Sequence, residues 1–268
     1  MSSPAVAHTQ AIQPLRQAAS LAVRAIRNIR RQPPVFVPAM VFPLIFTAMN
    51  AAAFDRTTNL PGFPPVESFL AFLLPAAVLQ GVIFGSTSAG TEVAADVADG
   101  FFDRLVSSPV SRLSILVGRM AGGAVLGGVQ VLWFVAVLTP FGATMKAGLP
   151  GLAVFVLAGM LTAVAIGGFA VAVGLRTGSA EAVQGTFPLV FVLLFTSSAF
   201  FPRALMSGWY KSVAGYNPVS WLVEALRDLS IHGWSATDAA VALAVPIGIA
   251  SVSLSVAARA LRARVRGG

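Results

Sequence analysis

The side chains best suited to metal binding or catalysis lie in one short run in the first half of the chain. The run reads Asp96-x-x-Asp99-Gly100-x-x-x-Arg104. Carboxylates so close together could hold a hard divalent cation, which prefers oxygen ligands. No cysteine is present, which excludes a disulfide framework, a thiolate metal site and a cysteine nucleophile. His8 and His232 have no companion at metal-ligand spacing, and no metal site is predicted for this chain.

This run resembles the start of the CDP-alcohol phosphotransferase motif. That motif reads D-x-x-D-G-x-x-A-R and continues, after eight residues, as G-x-x-x-D-x-x-x-D. Here Asp103 replaces the alanine, and the second half of the motif is missing, with Leu113, Val117 and Ala121 at the expected glycine and aspartate positions. A membrane-bound transferase of this family is therefore an alternative for which half of the metal ligands are missing. Two divalent ions need many oxygen ligands, which counts against it.

The composition places the chain in a membrane. Of its 268 residues, 56% are hydrophobic and 10% are charged, and the mean hydropathy is +0.81. A soluble domain carries about 25% charged residues. Six windows contain no Asp, Glu, Lys or Arg and are 20 residues long or longer: 32–54, 68–91, 120–145, 147–175, 182–202 and 239–258. About 20 apolar residues cross a bilayer as a helix, because backbone groups in lipid must be bonded internally. The sequence therefore predicts six membrane spans.

The distribution of positive charge predicts the orientation. With a cytoplasmic N-terminus, 13 of the 18 basic residues fall on the cytoplasmic side. This bias fits the positive-inside rule and predicts a multi-pass protein of the cytoplasmic (plasma) membrane with both termini in the cytoplasm. No cleavable signal peptide is expected, because the first 31 residues have no apolar core of their own.

The segment before the first span has the pattern of an amphipathic helix. Leu15, Ala18, Ala22, Ile26 and Ile29 recur at helical spacing. A second face carries four arginines: Arg16, Arg24, Arg27 and Arg31. The pattern predicts a helix in the cytoplasmic interface with its arginines toward lipid phosphates. A plain basic flank of the first span is the alternative.

The first cytoplasmic loop, about 92–113, carries an apolar stripe. Phe101, Phe102, Leu105 and Val106 fall on one face of a short predicted helix that Asp99 could cap and Pro109 would end. An exposed aromatic stripe of this kind favours docking into a groove on a partner. Packing on the membrane surface is the competing interpretation.

Two runs carry a resemblance to a transporter family. The first joins Gly100-Phe101-Phe102-Asp103-Arg104-Leu105 to Pro109-Val110-Ser111-Arg112 and Gly118-Arg119. The second comprises Phe200-Phe201-Pro202, Trp209 and Asn217-Pro218-Val219-Ser220-Trp221-Leu222-Val223-Glu224-Ala225-Leu226-Arg227. Together with the order of the predicted elements, they resemble type-2 ABC exporter permeases, most closely the drug-resistance branch that includes daunorubicin-type exporters.

The resemblance implies a half-transporter. Two permease subunits, identical or homologous, would pair, and each would bind an ABC ATPase subunit through the coupling residues: Asp99, Gly100, Phe101, Phe102, Asp103, Arg104 and Leu105. The sequence agrees with transport in this chain and ATP hydrolysis in a partner, since it has no G-x-x-x-x-G-K-[ST] loop to bind ATP phosphates. No cofactor is expected in this chain, and ATP and Mg would bind to the partner subunit. No charge lies inside the six windows, so an ion relay through the membrane is not expected.

The segment after the fifth window, about 202–238, is rich in tryptophan and tyrosine, which favour the membrane–water interface. The resemblance implies short re-entrant helices here. Asn217 and Pro218 could start the second of them, and Glu224 and Arg227, at i and i+3, could neutralise each other.

These patterns predict an all-α integral membrane protein. Residues 1–31 form the tail and interfacial helix, residues 32–258 form the six-span domain, and residues 259–268 form a basic cytoplasmic tail. The expected function is export of an amphiphilic or apolar, drug-like compound by the permease subunit of an ATP-driven ABC exporter, which is not itself an enzyme. Export of a cell-envelope lipid or glycan by the same architecture is the alternative.

Overall fold

The computed structural model describes residues 33–100 and 112–267. Ten α-helices occur within these residues, and none of them pairs as a β-strand. In chain order they are α1 Pro33–Phe54, α2 Phe69–Ser86, α3 Ser88–Ala98, α4 Arg112–Leu138, α5 Gly148–Thr177, α6 Ala180–Gln184, α7 Phe187–Phe195, α8 Gly208–Tyr216, α9 Pro218–Ile231 and α10 Ala236–Gly267. The all-helical class predicted from the sequence is therefore confirmed for the described part of the chain.

Five helical stretches in the described residues are long and apolar enough to cross a membrane. They are Val37–Asn59, Phe69–Ala98, Met120–Phe141, Gly148–Thr177 and Ala236–Val265. Each matches one of the six charge-free windows. The remaining window, 182–202, overlaps the shorter apolar stretch Ala180–Phe195. Its 16 residues extend about 24 Å as a helix, somewhat less than the hydrocarbon thickness of a bilayer.

The shorter stretch is divided because its sequence interrupts a helix. Gly185 ends α6, Thr186 precedes α7, and Pro188 lies in the first turn of α7. A proline has no amide hydrogen, so it is tolerated at the start of a helix but not in its interior. The absence of charge in the window predicted a single span but did not predict the interruption between α6 and α7.

Helix α2 forms the centre of the bundle. Of its 18 residues, 17 are buried, and the exception is Phe84. It contacts α1, α4, α5 and α9, while α5 packs along α3, α4 and α10. A helix that is apolar on every side needs such an enclosed position or a lipid surface.

Close helix contacts in the core depend on glycine. A Cβ atom on Gly81 of α2 would lie 2.0 Å from Cε2 of Phe134 on α4. A Cβ atom on Gly90 of α3 would lie 2.5 Å from the carbonyl carbon of Ala170 on α5. Small residues let membrane helices approach this closely, which compensates for the weak hydrophobic drive between helices in lipid.

The second span continues beyond its apolar window. Helix α3 follows α2 after Thr87 and contains Glu92 and Asp96, which the sequence analysis assigned to the first cytoplasmic loop. Charged residues do not end a helix by themselves; they favour its exit from the hydrocarbon region. Helix α3 therefore carries these two carboxylates beyond the window and ends at Ala98, with Asp99 as its C-cap residue.

Candidate transport site

The charged residues at one end of the bundle are organised around α9. The side-chain oxygen of Asn217 accepts a hydrogen bond from the Val219 amide at 2.9 Å, and Pro218 occupies the first helical turn. This is the start expected from the sequence, because asparagine satisfies an amide that the helix leaves free and proline needs no amide partner there. Starting the helix here directs Arg227 into the core.

Arg227 is the most deeply buried charged side chain among the described residues. It is 4% exposed. Its Nε donates to the Phe72 carbonyl at 3.0 Å, and one terminal nitrogen donates to the carbonyls of Ser198 and Ala199 at 3.0 and 2.9 Å. Its guanidinium carbon also lies 3.6 Å from the centre of the Phe72 ring. These contacts join α9, the start of α2 and the turn that follows α7.

Glu224 and Arg227 do not form the direct ion pair that their spacing suggested. The Glu224 carboxylate accepts a hydrogen bond from Arg203, and this pair is partly exposed. Arg227 instead uses backbone carbonyls, because its long side chain reaches the end of α7, where the helix leaves carbonyl groups without amide partners. The i, i+3 spacing of Glu224 and Arg227 on one helix could not predict the partners of either side chain, because those partners lie at least 21 residues away in the sequence.

Asn217 also joins α7 to α9. Its side-chain nitrogen donates to the Leu193 carbonyl at 2.7 Å and to the Thr196 hydroxyl at 3.2 Å. The same amide group therefore caps one helix with its oxygen and binds the end of another with its nitrogen. Together, Asn217 and Arg227 fix α9 against the end of α7 through hydrogen bonds from both ends of the segment 217–227.

The later part of α9 carries a weaker, more exposed pair. Asp228 and His232 lie 3.3 Å apart at i and i+4, and both side chains are about half exposed. Partial burial raises the pKa of the Asp228 carboxyl, while the nearby His232 acts in the opposite direction. The pair takes no part in the hydrogen bonds of Arg227.

Exposed tryptophan and tyrosine surround this end of the bundle. Trp209, Tyr216, Trp221 and Trp234 are 74%, 85%, 44% and 55% exposed. Side chains of this kind prefer the boundary between lipid and water, where the ring meets hydrocarbon and the polar atom meets water. Their exposure around α8 and α9 is typical of residues at such a boundary.

A cluster of seven phenylalanines connects α1, α2, α7 and the turn after α7. Neighbouring ring centres lie 4.8–6.1 Å apart, the range in which aromatic pairs attract one another. We call Phe42, Phe46, Phe84, Phe187, Phe191, Phe195 and Phe200 the phenylalanine cluster. Phe42 is 46% and Phe195 is 38% exposed, so the cluster reaches the surface of the chain between α1 and α7.

Gln80 lies one helical turn before Phe84 on the same stripe of α2. It is fully buried, and neither its amide nitrogen nor its amide oxygen has a hydrogen-bond partner. An unpaired polar group in an apolar core is costly, and such groups mark places where water or a ligand can bind. The sequence analysis included Gln80 only among the neutral polar residues of the windows.

The predicted coupling residues lie at the boundary of the described chain. Asp99 is the C-cap residue of α3, and Gly100 follows with a φ of +66° and open space around its α-carbon. A glycine in the left-handed conformation is a common helix end. Phe101, Phe102, Asp103, Arg104 and Leu105 lie outside the described residues, as do the interfacial arginines Arg16, Arg24, Arg27 and Arg31.

The carboxylates of the described residues do not form a metal site. No three Asp, Glu or His side chains within residues 33–100 and 112–267 come together to bind an ion.

Comparison with known proteins shows the family of this chain. The ABC-2 type transporter family matches residues 16–230. The chain belongs to the ABC-2 type transporter family. It is a multi-pass membrane protein and a transport component, and its family implies an ABC transporter system with an ATPase partner. This assignment replaces the CDP-alcohol phosphotransferase alternative.

Curated relatives are similar at modest identity. A daunorubicin resistance ABC transporter permease protein of Streptomyces coeruleorubidus is 28% identical over 220 residues, which cover 80% of this chain and 73% of the relative. A probable doxorubicin resistance ABC transporter permease protein of Mycobacterium tuberculosis is 24% identical over 197 residues, 74% of this chain and 70% of the relative. A putative transport permease of Cyanophora paradoxa is 26% identical over 221 residues, 79% of this chain and 73% of the relative.

Proposed function

We propose that this ABC-2 permease exports an amphiphilic or apolar, drug-like compound from the cytoplasm or the inner leaflet. The phenylalanine cluster supports this proposal most directly. It is an apolar surface, and Gln80, one helical turn from Phe84, carries a buried amide without a hydrogen-bond partner. Flat aromatic compounds stack on such rings, and one unpaired amide can bind a polar substituent. The drug-resistance names of two relatives point to the same substrate class.

The energy for export is proposed to come from a separate ABC ATPase subunit that binds ATP and Mg. Closure of two ATPase subunits around ATP would move the loop 101–111, and the apolar stripe of Phe101, Phe102 and Leu105 would carry this motion to the spans. Helix α3 supports this route, because it extends the buried α2 directly to Asp99 at the start of that loop. A displacement of the loop would therefore act on the central helix of the bundle.

The complete transporter is proposed to contain two permease subunits. The exposed apolar side chains of α1, among them Val37, Phe42, Ile45 and Met49, continue the surface on which the phenylalanine cluster emerges. A second permease facing this surface would enclose a pathway lined by aromatic rings. Whether that subunit is a second copy or a homologue is decided by the composition of the purified complex.

The membrane arrangement is proposed to have six crossings. The stretch Ala180–Phe195 would form the fifth, with α8 and α9 as re-entrant helices beyond its outer end. Two features support this: the aromatic residues around α8 and α9 suit an interface, and the bonds of Asn217 and Arg227 bind α9 to the end of α7. Both termini would then lie in the cytoplasm.

ATP-dependent transport by the reconstituted complex tests the proposal. The permease is co-purified with its ATPase subunit, placed in vesicles and given ATP with daunorubicin, and drug accumulation is followed by fluorescence. We expect uptake that requires ATP and falls when Gln80→Leu or Phe191→Ala is introduced, with ATPase binding unchanged. Transport of a labelled envelope lipid or glycan without drug transport would instead support the alternative cargo.

A further inference from the structure

A cavity within the single chain has none of the phenylalanine-cluster residues in its lining. It has a volume of about 320 Å³ and is bounded by α2, α5, α7, α9 and α10. Its inner wall consists of buried side chains, including Leu79, Ile83 and Leu222. This size is at the lower end of the range for pockets that bind small molecules.

The cavity opens sideways. Phe169 of α5 and Leu189 and Leu193 of α7 line it, and these side chains are 42%, 68% and 49% exposed. Helix α7 approaches the other described helices mainly through long side chains rather than by close backbone contact, which leaves a gap beside α5. Because α5 is long and apolar enough to span the membrane, a mouth between its Phe169 and α7 would face lipid hydrocarbon.

The lining has no hydrogen-bond donor to offer to a ligand. Thr162 and Thr186 are the only residues with a polar side chain among those lining the cavity in the described chain. The Thr162 hydroxyl donates to the Ala158 carbonyl of the same helix, and the Thr186 hydroxyl donates to the Val183 carbonyl of α6, both at 2.7 Å. Water needs two to four polar partners to remain in a cavity, so it is not the expected occupant.

We infer that this cavity is a binding site for a hydrocarbon chain, and that its occupant is an acyl chain of a membrane lipid entering between α5 and α7. An empty apolar space of this size is unfavourable, because the surrounding side chains lose their packing contacts. Lipid chains surround the mouth and have the required chemistry. A bound chain would support α7 against the bundle where protein side chains do not fill the gap. The inference does not depend on what the protein exports.

Photo-crosslinking in nanodiscs tests the inference. The complete protein is reconstituted with a phosphatidylcholine that carries a diazirine in one acyl chain and is then irradiated. Mass spectrometry identifies the residues that the lipid has labelled. We expect labels on the inner wall at Leu79 and Ile83, which are buried from bulk lipid. Ala165→Phe fills the cavity and should reduce this inner labelling about tenfold, the effect of losing roughly two buried methylene groups.

The matched control lies on the same helix. Ala153 of α5 is exposed and does not line the cavity, so Ala153→Phe should leave the inner labelling unchanged. If Ala165→Phe fails to fold, Leu189→Trp at the exposed mouth should reduce the same labels by blocking entry. Inner labelling that is absent in the natural chain, or that persists in folded Ala165→Phe, would overturn the inference.

Two further outcomes would assign the cavity to another occupant. Daunorubicin is added at increasing concentration, and displacement of the acyl label would show that the site belongs to the cargo. Since the chain has no cysteine, Leu189→Cys provides a single thiol at the mouth, and efficient cross-linking to a second copy would show that protein covers it. Either result would refute the lipid assignment.

Discussion

The guanidinium group of Arg227 lies over the ring of Phe72, 3.6 Å from its centre, and donates to the carbonyl of the same residue. One residue at the start of α2 thus binds the charge through both its ring and its backbone. Cation–π contacts gain strength when water is excluded, as it is here. This pairing explains how a full charge is tolerated in the core of an apolar bundle.

Removing the Arg227 side chain should destabilise the protein strongly. Arg227→Met keeps much of the apolar volume but leaves the carbonyls of Phe72, Ser198 and Ala199 without this donor, so we expect a loss of about 2–4 kcal/mol. Thermal unfolding of the purified chain in detergent measures the effect. Arg227→Lys should recover only part of it, because an ammonium lacks the planar set of donors.

Arg203→Ala is the matched control for that experiment. Arg203 pairs with Glu224 at a partly exposed position, and exposed pairs contribute about 0.2–1 kcal/mol. A loss of stability in Arg203→Ala as large as that in Arg227→Met would contradict the special role of the buried contacts.

Gly81→Ala should separate α2 from α4. The added Cβ atom would lie 2.0 Å from the Phe134 ring, and relieving such overpacking costs about 1–3 kcal/mol. Gly248 of α10 has open space around it, so Gly248→Ala should instead raise stability by about 0.5–1 kcal/mol through its better helix propensity. If the melting temperatures of both variants rose, or both fell, relative to the natural protein, this account of the core would be contradicted.

The sequence was sufficient for features that depend on local composition. Charge-free length identified the five stretches that are long and apolar enough to cross a membrane. The Asn217-Pro218 pair identified the start of α9. Both signals are contained in one continuous segment of the chain. The partners of Arg227 could not be predicted in this way, since Phe72 lies 155 residues away. The enclosed position of α2, the grouping of the phenylalanines and the cavity likewise depend on which helices become neighbours.

Two substitutions at Asn217 should separate its two roles. Asn217→Asp keeps the oxygen that caps α9 but cannot donate to Leu193 and Thr196, whereas Asn217→Ala loses both functions. We expect a loss of about 1 kcal/mol for the aspartate and about twice that for the alanine. Equal losses in chemical or thermal unfolding would mean that only one of these roles contributes.

Single-cysteine labelling should decide between five and six crossings. The absence of natural cysteine makes each introduced thiol the only target. Asn59→Cys and Arg262→Cys are both at exposed positions at opposite ends of the described chain. With six crossings, an impermeant maleimide labels Asn59→Cys in intact cells but labels Arg262→Cys only after permeabilisation. Labelling of both in intact cells would show that Ala180–Phe195 does not cross the membrane.

Replacing Phe102 should disconnect the ATPase subunit from the permease. Phe102 lies in the proposed coupling stripe, outside the six charge-free windows, so Phe102→Ala should leave the spans inserted. Loss of one large apolar anchor, worth about 1.5–3 kcal/mol, should weaken ATPase binding roughly tenfold to a hundredfold. Co-purification and the ratio of transport to hydrolysis measure the effect.

The control for this experiment is the neighbouring charge. Arg104→Ala should have a smaller effect, because an exposed ion pair is typically worth less than about 1 kcal/mol. If the stripe merely packs on the membrane surface, the double variant Phe101→Ala with Phe102→Ala will bind the ATPase subunit and couple hydrolysis to transport normally. Since a groove on the partner would lose two apolar anchors in that variant, unchanged binding would remove the coupling role from this loop.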